Sequence, residues 1–263
     1  MGYPDHQAMI KTVTAFVKAD DRFVGAALGG SYITNTMDAF SDLDFVLVCR
    51  DEVFPSVMDA RMEIAQSFGP LLSAFTREHV GEPRLIICLY GGPILHVDLK
   101  FVALQDFGQR IEDPVILYEE NGCLGSAMES SAACWPTPDL QWIEDRFWVW
   151  VHYAATKLGR GELFEVMDHL AFLRRAVLAP LAAMACGKLP RGVRKIEADA
   201  PEWSRKLEAV TALHDAGSCA DAVRASIALY LELRERCRKD PFTPREEAQR
   251  QAVEYLDQTL SAL

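Results

Sequence analysis

The chain lacks several features that would place it in a common class. No apolar run is long enough to span a bilayer, and the first residues have neither the basic start nor the apolar stretch of a secretory signal. The seven cysteines form no Cys-x-x-Cys pair, which favours free thiols over a zinc site. Basic residues are also few, since 27 Lys and Arg stand against 38 Asp and Glu. The resulting net charge of −11 argues against a nucleic-acid substrate, and we expect a cytoplasmic protein with neither a nucleic-acid nor a membrane partner.

The composition is that of an ordinary globular protein, with 50% hydrophobic and 25% charged residues. A length of 263 residues allows one large domain or two modest ones. The first half mixes strand and helix patterns, whereas the second half has helical spacing and almost no strand signal. The patterns lapse over residues 121–138. We therefore predict an α+β fold, with a mixed sheet and helices over residues 1–130 and an all-α helical bundle over 131–263.

Within the first half, periodicity predicts helices over residues 5–20 and 52–79, the latter with a break or kink at Phe68-Gly69-Pro70. Apolar and alternating runs predict a small mixed sheet with helices on one side. The run 23–28 reads as a strand or a helix end, and the expected strands are 45–49, 84–90, 94–101 and 114–118. The expected helices of the second half are 138–158, 162–186, 203–215, 219–237 and 244–262, with 187–201 as a connection.

Two carboxylates stand where the first buried strand begins. Asp42 and Asp44 are two residues apart, so on a strand their side chains point to the same face. Carboxylates that converge at the edge of an apolar core repel one another unless a cation lies between them. Mg²⁺ suits such a site, because one or two carboxylates together with substrate phosphates usually hold it. The alternative is a strand end whose acidic side chains are simply solvated.

A glycine-rich segment precedes these carboxylates. Gly29 and Gly30 allow the backbone to approach a ligand closely. Ser31 offers a hydroxyl and opens a short helix, and the free N–H groups at a helix start favour phosphate. A phosphate cradle beside a metal-binding pair indicates transfer of a nucleotidyl group.

These residues together resemble the signature of the polymerase-β-type nucleotidyltransferase superfamily. The pattern there is Gly-Gly or Gly-Ser, a spacer, Asp-x-Asp on a strand, and a third carboxylate on a later strand. The resemblance implies the nucleotidyltransferase fold and identifies Asp98, in the alternating run 94–101, as the third carboxylate. Taken by itself, a single Asp in an alternating strand is also consistent with a merely exposed position.

The second half resembles the C-terminal domain of aminoglycoside 6-adenylyltransferases, which modify streptomycin. The likeness lies in Phe147-Trp148, in the turn Lys157 to Glu162 and in Asp168-His169-Leu170, about forty residues in all. This chain departs from that subgroup in the turn, where Gly and Leu are exchanged. It also has Gly-Gly-Ser-Tyr where that subgroup has Gly-Ser-Arg, and Leu instead of a bulkier aromatic residue between the first two aspartates.

Four residues of this half are candidates for ligand binding. Lys157 and Arg160 would neutralise triphosphate charge, although both also suit a helix C-terminus, where cations favour the dipole. Asp168 would hold a cationic acceptor. Trp148 is a candidate to line the acceptor site, although the aromatic residues around it are also expected in an interhelical core.

These inferences give a Mg²⁺-dependent enzyme that transfers AMP from ATP to a hydroxyl of a small molecule, with an aminoglycoside such as streptomycin as the candidate acceptor. Asp42 and Asp44 hold the metal, and Asp98 either completes the metal site or acts as general base. Glu119 and Glu144 are alternative bases. Two other functions stay open: a nucleotidyltransferase that modifies a protein or tRNA, and a non-catalytic nucleotide-binding module. Magnesium-dependent turnover separates the last from an enzyme.

Overall fold

The computed structural model describes residues 4–78 and 81–262. The chain forms two compact units that divide between Trp135 and Pro136, where the sequence predicts a boundary between 130 and 131. The first unit contains a six-stranded sheet with helices, and the elements of the second are helical throughout its described residues. The predicted α+β class is therefore confirmed. None of the helices in the described ranges combines the length and apolar character needed to cross a bilayer.

The first unit opens with a helix and then builds its sheet from six strands. Its elements are α1 (Pro4–Ala19), β1 (Phe23–Leu28), β2 (Leu43–Cys49), α2 (Phe54–Gln66), β3 (Leu71–Arg77), β4 (Glu82–Tyr90), β5 (Leu95–Ala103), β6 (Val115–Glu119) and α3 (Cys123–Glu129).

The sheet has the strand order β3-β4-β5-β2-β1-β6. Its central strands β2 and β5 are parallel, and the other neighbours are antiparallel. Alternation decides which face each side chain occupies. Leu43, Phe45 and Leu47 point into the main core of this unit, where they pack with apolar side chains of α1 and α2. The residues between them, including Asp44, therefore belong to the opposite face.

The opposite face is partly covered by α3, which contradicts the expectation of helices on one side only. Leu124 of α3 packs on Val24, Val48 and Val102. Val48 and Val102 lie four residues beyond Asp44 and Asp98, so this small cluster covers the far end of the two parallel strands. The helix was missed because Gly122 and Gly125 give its sequence the look of a loop.

The predicted helix over 52–79 is wrong in its second half. The helix α2 ends at Gln66, and β3 follows as an edge strand. Gly69 has a φ of +151°, and Pro70 has no backbone N–H to continue a helix. A register shift between Leu71 and Ser73 interrupts the alternation of β3, and Leu72 and Phe75 are exposed. Residue 79 lies outside the described residues.

The second unit is a bundle around the long helices α4 and α9. Its helices are α4 (Leu140–Gly159), α5 (Leu163–Leu173), α6 (Ala179–Ala185), α7 (Ile196–Asp199), α8 (Pro201–Glu208), α9 (Ala216–Cys237) and α10 (Glu246–Ser261). A π-helical turn over Arg174–Leu178 joins α5 to α6 within the predicted helix 162–186. Pro180 cannot donate the backbone hydrogen bond of a regular helix, which accounts for an irregularity just before it.

Candidate functional site

Two of the predicted carboxylates meet at the centre of the sheet. In the parallel pairing of β2 and β5, Asp44 lies directly opposite Asp98. Paired residues of neighbouring strands project to the same side of a sheet, so both carboxylates lie on the face that α1 and α2 do not cover. The side chain of Asp98 is 17% exposed. The fold thus brings together two residues that are 54 positions apart in the sequence.

The surroundings of Asp98 disfavour its negative charge. Burial is the main reason that the pKa of Asp98 is raised above its ordinary value of 3.8. His96 opposes this shift through a hydrogen bond, and the nearby charge of Asp42 adds to it. The positive charge of Arg77 also opposes it weakly. All three predicted carboxylates therefore belong to one electrostatic neighbourhood, in which a cation would be favourable.

His96 is a member of this site that the sequence reasoning missed. Its Nε2 lies 2.9 Å from Oδ1 of Asp98. The two residues are two apart on β5, so alternation places their side chains on one face. The sequence carries this signal, because His96 and Asp98 have the same two-residue spacing as Asp42 and Asp44.

The glycine segment runs alongside Asp44. The N–H of Gly29 donates to the backbone carbonyl of Asp44 at 2.8 Å. Gly30 has a φ of +61°, the left-handed region that favours glycine. A Cβ on Gly30 would overlap Oδ2 of Asp44 and lie 3.2 Å from its Cγ. Position 30 therefore needs glycine for two reasons, namely its backbone conformation and the approach of the Asp44 carboxylate.

Two polar groups complete the glycine segment. Gly30 and Ser31 begin a three-residue 3₁₀ turn, Gly30–Tyr32. The Oγ of Ser31 is buried and has no hydrogen-bond partner within the described residues. Such an orphaned hydroxyl is costly unless a ligand or water satisfies it. The N–H of Gly30 donates to Oε1 of Glu112 at 2.9 Å. Sequence reasoning missed Glu112, since the contact spans 82 residues and has no local signature.

The donor set fits a magnesium ion in kind. Mg²⁺ prefers oxygen ligands and commonly takes one or two carboxylates, with phosphates and waters as the remainder. Asp44 and Asp98 supply such a pair, with Asp42 nearby. Over the described ranges, however, no group of three or more His, Cys, Asp and Glu side chains stands ready to hold a metal. The arrangement is thus a carboxylate pair that phosphate oxygens would complete, and not a closed three-carboxylate site.

The two predicted phosphate-binding cations lie in the second unit, at the end of α4. Both are bound to one carboxylate: Nζ of Lys157 lies 2.6 Å from Oε2 of Glu162, and Nε of Arg160 lies 2.8 Å from Oε1. The hydrogen bond to Glu162 raises the pKa of Lys157. Gly161 follows with a φ of +70°, and its N–H bonds to the carbonyl of Leu158. These contacts are those of a helix C-terminus, the alternative that the sequence left open.

The proposed role of Trp148 is corrected by its position in the core. Trp148 is 2% exposed, and its Nε1 donates to Oε1 of Glu144 at 3.1 Å. Glu144 is fully buried and also accepts hydrogen bonds from Tyr230 Oη at 2.5 Å and from the backbone N–H of Arg245 at 2.8 Å. With Nη1 of Arg234 at 3.3 Å, this carboxylate is a structural centre of the bundle. Trp148 therefore lines no acceptor surface, and Glu144 is unsuited to act as a base.

The remaining candidates have different positions. Asp168 is exposed on α5, so its carboxylate is accessible to a cationic ligand. Glu119, the other alternative base, accepts a hydrogen bond from the N–H of Gly125 at 2.9 Å and so fixes the first turns of α3. That role is structural.

A groove of about 1010 Å³ on the second unit runs along α10. Its lining is charged and includes Arg234, Arg250, Glu254 and Asp257. None of the predicted site residues lines it. Its charged groups already have partners, since Arg250 binds Glu254 within the lining and Asp257 binds Arg224 outside it.

A scan against protein-family models finds no match, and a search of curated proteins also finds none. Among solved structures, the chain is similar to an aminoglycoside 6-adenyltransferase from Bacillus subtilis, with 15% identity, coverage of 95% of this chain and 97% of that one, and a TM-score of 0.40. It is also similar to a nucleotidyltransferase-like protein from Exiguobacterium sibiricum 255-15, with 15% identity, coverage of 98% and 88%, and a TM-score of 0.41.

Proposed function

We propose that this chain is a Mg²⁺-dependent nucleotidyltransferase that moves AMP from ATP to a hydroxyl group of a small molecule. The hydroxyl oxygen forms a bond to the α-phosphorus, the bond between the α- and β-phosphates breaks, and pyrophosphate leaves. The observation that carries the proposal is the meeting of Asp44, Asp98 and Gly30 at one place on the sheet. A carboxylate pair supplies metal ligands, and a glycine in the left-handed region leaves its N–H beside them. The orphaned hydroxyl of Ser31 adds a second donor for a phosphate oxygen.

The residues of the site have different roles in the proposed reaction. The N–H of Gly30 and the Oγ of Ser31 would donate to phosphate oxygens. Asp44 would hold the metal together with Asp42, the nearby carboxylate. When bound, the magnesium ion neutralises negative charge on the triphosphate. Asp98 either completes the metal site or accepts the proton of the attacking hydroxyl. Its raised pKa favours the second role, because a carboxylate that binds protons more tightly is a better general base.

His96 has a supporting task in this scheme. Its hydrogen bond to Oδ1 fixes the orientation of the Asp98 carboxylate and leaves Oδ2 for the acceptor hydroxyl. His96 is a positioning residue in this account, since its own contact is with Asp98.

The acceptor that we propose is a small cationic compound, with aminoglycosides such as streptomycin as the candidates. The net charge of −11 favours the approach of a cation. The motif around Asp168 resembles the aminoglycoside-modifying subgroup, and its exposed carboxylate suits an ammonium or guanidinium group. Lys157 and Arg160 remain proposed triphosphate ligands that would have to exchange Glu162 for phosphate.

The test is to incubate the protein with Mg²⁺, ATP and a panel of aminoglycosides led by streptomycin, and to identify products by mass spectrometry. Asp44→Ala is assayed in parallel, and Asp59→Ala, which removes an exposed carboxylate of α2, is the matched control. We expect an acceptor to gain one adenylyl group with the wild type and with the control, and not with Asp44→Ala.

Two results would contradict the proposal. Transfer by Asp44→Ala at the wild-type rate would remove the catalytic role of the carboxylate pair. Binding of Mg²⁺-ATP without turnover on any hydroxyl compound would favour a non-catalytic nucleotide-binding module.

Adenylylation of a co-purified protein instead of a small molecule would retain the reaction and replace the acceptor class.

A further inference from the structure

Glu112 places a further carboxylate group directly on the glycine segment. Its Oε1 accepts the hydrogen bond of the Gly30 N–H at 2.9 Å. A Cβ added to Gly29 would lie 3.1 Å from the same oxygen. The carboxylate therefore lies against both glycines, although Glu112 belongs to the connection between β5 and β6.

The position that Glu112 takes is chemically the position of a phosphate oxygen. An anionic oxygen at hydrogen-bond distance from a backbone N–H is what a bound phosphate presents, and such charge-assisted hydrogen bonds are strong. Gly30 also lies close to a second carboxylate, because a Cβ on Gly30 would overlap Oδ2 of Asp44. The carboxylates of Glu112 and Asp44 therefore lie on two sides of the same glycine. Two carboxylates at one backbone position repel each other and any further anion.

The two carboxylates at Gly30 affect the binding of a small free anion and of a metal-bound triphosphate differently. Inorganic phosphate would have to displace Glu112 against electrostatic repulsion from Asp44, and it brings no cation that offsets this repulsion. A triphosphate that carries Mg²⁺ brings a cation for Asp44 and a further oxygen for the buried hydroxyl of Ser31. The energetic balance at Gly30 therefore depends on whether a cation accompanies the anion.

We propose that Glu112 is a specificity-determining residue, whose carboxylate occupies the phosphate position at the Gly30 N–H and excludes small free anions until a metal-bound triphosphate displaces it. This inference rests on the proposed function, because the displacing ligand is the triphosphate of the nucleotide. It adds a residue and a selection rule that the motif of the glycine segment does not contain.

The test compares the wild type with Glu112→Ala and with Glu112→Gln, which keeps the size of the side chain and removes its charge. The control is Asp113→Asn, which removes one negative charge from the next residue, whose carboxylate binds Arg110. The dissociation constants of inorganic phosphate without metal and of Mg²⁺-ATP are measured by calorimetry. The amide resonance of Gly30, with glycine labelled by ¹⁵N, reports whether phosphate reaches this N–H.

We expect both Glu112 variants to bind phosphate about ten-fold more tightly than the wild type, the size expected when a competing charge-assisted hydrogen bond is lost. The Gly30 resonance should move with phosphate in these variants only. Mg²⁺-ATP should bind more tightly by a smaller factor, and Asp113→Asn should behave as the wild type.

Three results would overturn the inference. The first is a phosphate affinity that stays unchanged in both Glu112 variants. The second is an equal rise of phosphate affinity in Asp113→Asn, which would show a general charge effect. Weaker Mg²⁺-ATP binding by both variants would make Glu112 a ligand of the nucleotide complex and not its competitor. Circular dichroism checks that each variant is folded. If Glu112→Ala is not folded, the phosphate affinity of Glu112→Gln is compared with that of the wild type.

The proposed function and this inference can fail separately. Adenylyl transfer by the wild type, with phosphate affinity unchanged in the variants, would overturn the inference alone. Tighter phosphate binding by the variants, with no transfer to any acceptor, would support the inference and remove the proposed function.

Discussion

Replacement of Gly30 by alanine should abolish nucleotidyl transfer while the fold survives. Two separate costs follow from the structure. A left-handed conformation at φ +61° costs an alanine about 1–2 kcal/mol. The new Cβ would also overlap Oδ2 of Asp44, yet it would lie 3.8 Å from the Cβ of Asp44, which is an ordinary contact distance. Rotation of the Asp44 carboxylate therefore removes the overlap, and the strands need not move.

This rotation is the reason that activity should suffer far more than stability. The Asp44 carboxylate would leave the side of Gly30, where it stands opposite Asp98 and can hold the metal. A displaced catalytic group commonly costs about 100-fold in rate. We expect a loss of at least this size in adenylyl transfer, and a loss of about 1–2 kcal/mol in the free energy of unfolding.

Gly122→Ala provides the matched control. Gly122 lies in the same unit with a φ of +71°, and a Cβ there would meet nothing within 4 Å. It therefore carries the backbone cost without the contact. Urea denaturation and transfer assays on both variants should show similar losses of stability, with transfer lost only in Gly30→Ala. Wild-type turnover by Gly30→Ala would refute the reasoning, as would equal loss of transfer in the control.

Three further predictions concern the other charged residues. The folded-state pKa of Asp98 is raised, so stability linked to its protonation is complete below its unfolded value near 3.8 and is lost as the pH rises through the folded value. Asp98→Asn should therefore raise the thermal midpoint at pH 7 and bring no such gain below pH 3.8, as thermal denaturation across pH will test. Glu144→Ala should lower the free energy of unfolding by about 3–5 kcal/mol in urea denaturation, because it leaves Arg234 without its buried partner. Lys157→Ala should leave the free energy of unfolding nearly unchanged, since solvent screens its pair with Glu162, and should raise the KM for ATP if Lys157 binds phosphate.

The sequence predicted the parts of the site that local patterns encode. The apolar run of β2 and the alternation of β5 indicated two buried strands, and the aspartates at their polar positions followed from the period of two. Gly29 and Gly30 were recognisable because glycine allows the backbone to approach a ligand closely and a serine follows them. The resemblance placed Asp98 on a later strand beside the first two aspartates, whereas the parallel pairing that sets Asp44 opposite Asp98 is known only from the structure.

Other features depend on tertiary contacts that no local pattern carries. The contact of Glu112 with Gly30 joins residues that are distant in the chain, and an isolated glutamate in a connection gives no signal. Trp148 was a candidate both for the acceptor site and for the interhelical core, and its place in the core depends on the bundle around it. The edge strand β3 was predicted as helix because Phe68, Leu71, Leu72 and Phe75 have helical spacing in the sequence, although Leu72 and Phe75 are exposed in the structure.

A crystal structure of the chain with Mg²⁺ and an ATP analogue that resists cleavage between the α- and β-phosphates tests the central claim most directly. We predict a metal ion bound to the Asp44 carboxylate, a phosphate oxygen on the N–H of Gly30 in place of Glu112, and a second oxygen on the hydroxyl of Ser31. A nucleotide bound elsewhere, for instance in the charged groove along α10, with Glu112 still on Gly30, would contradict the account.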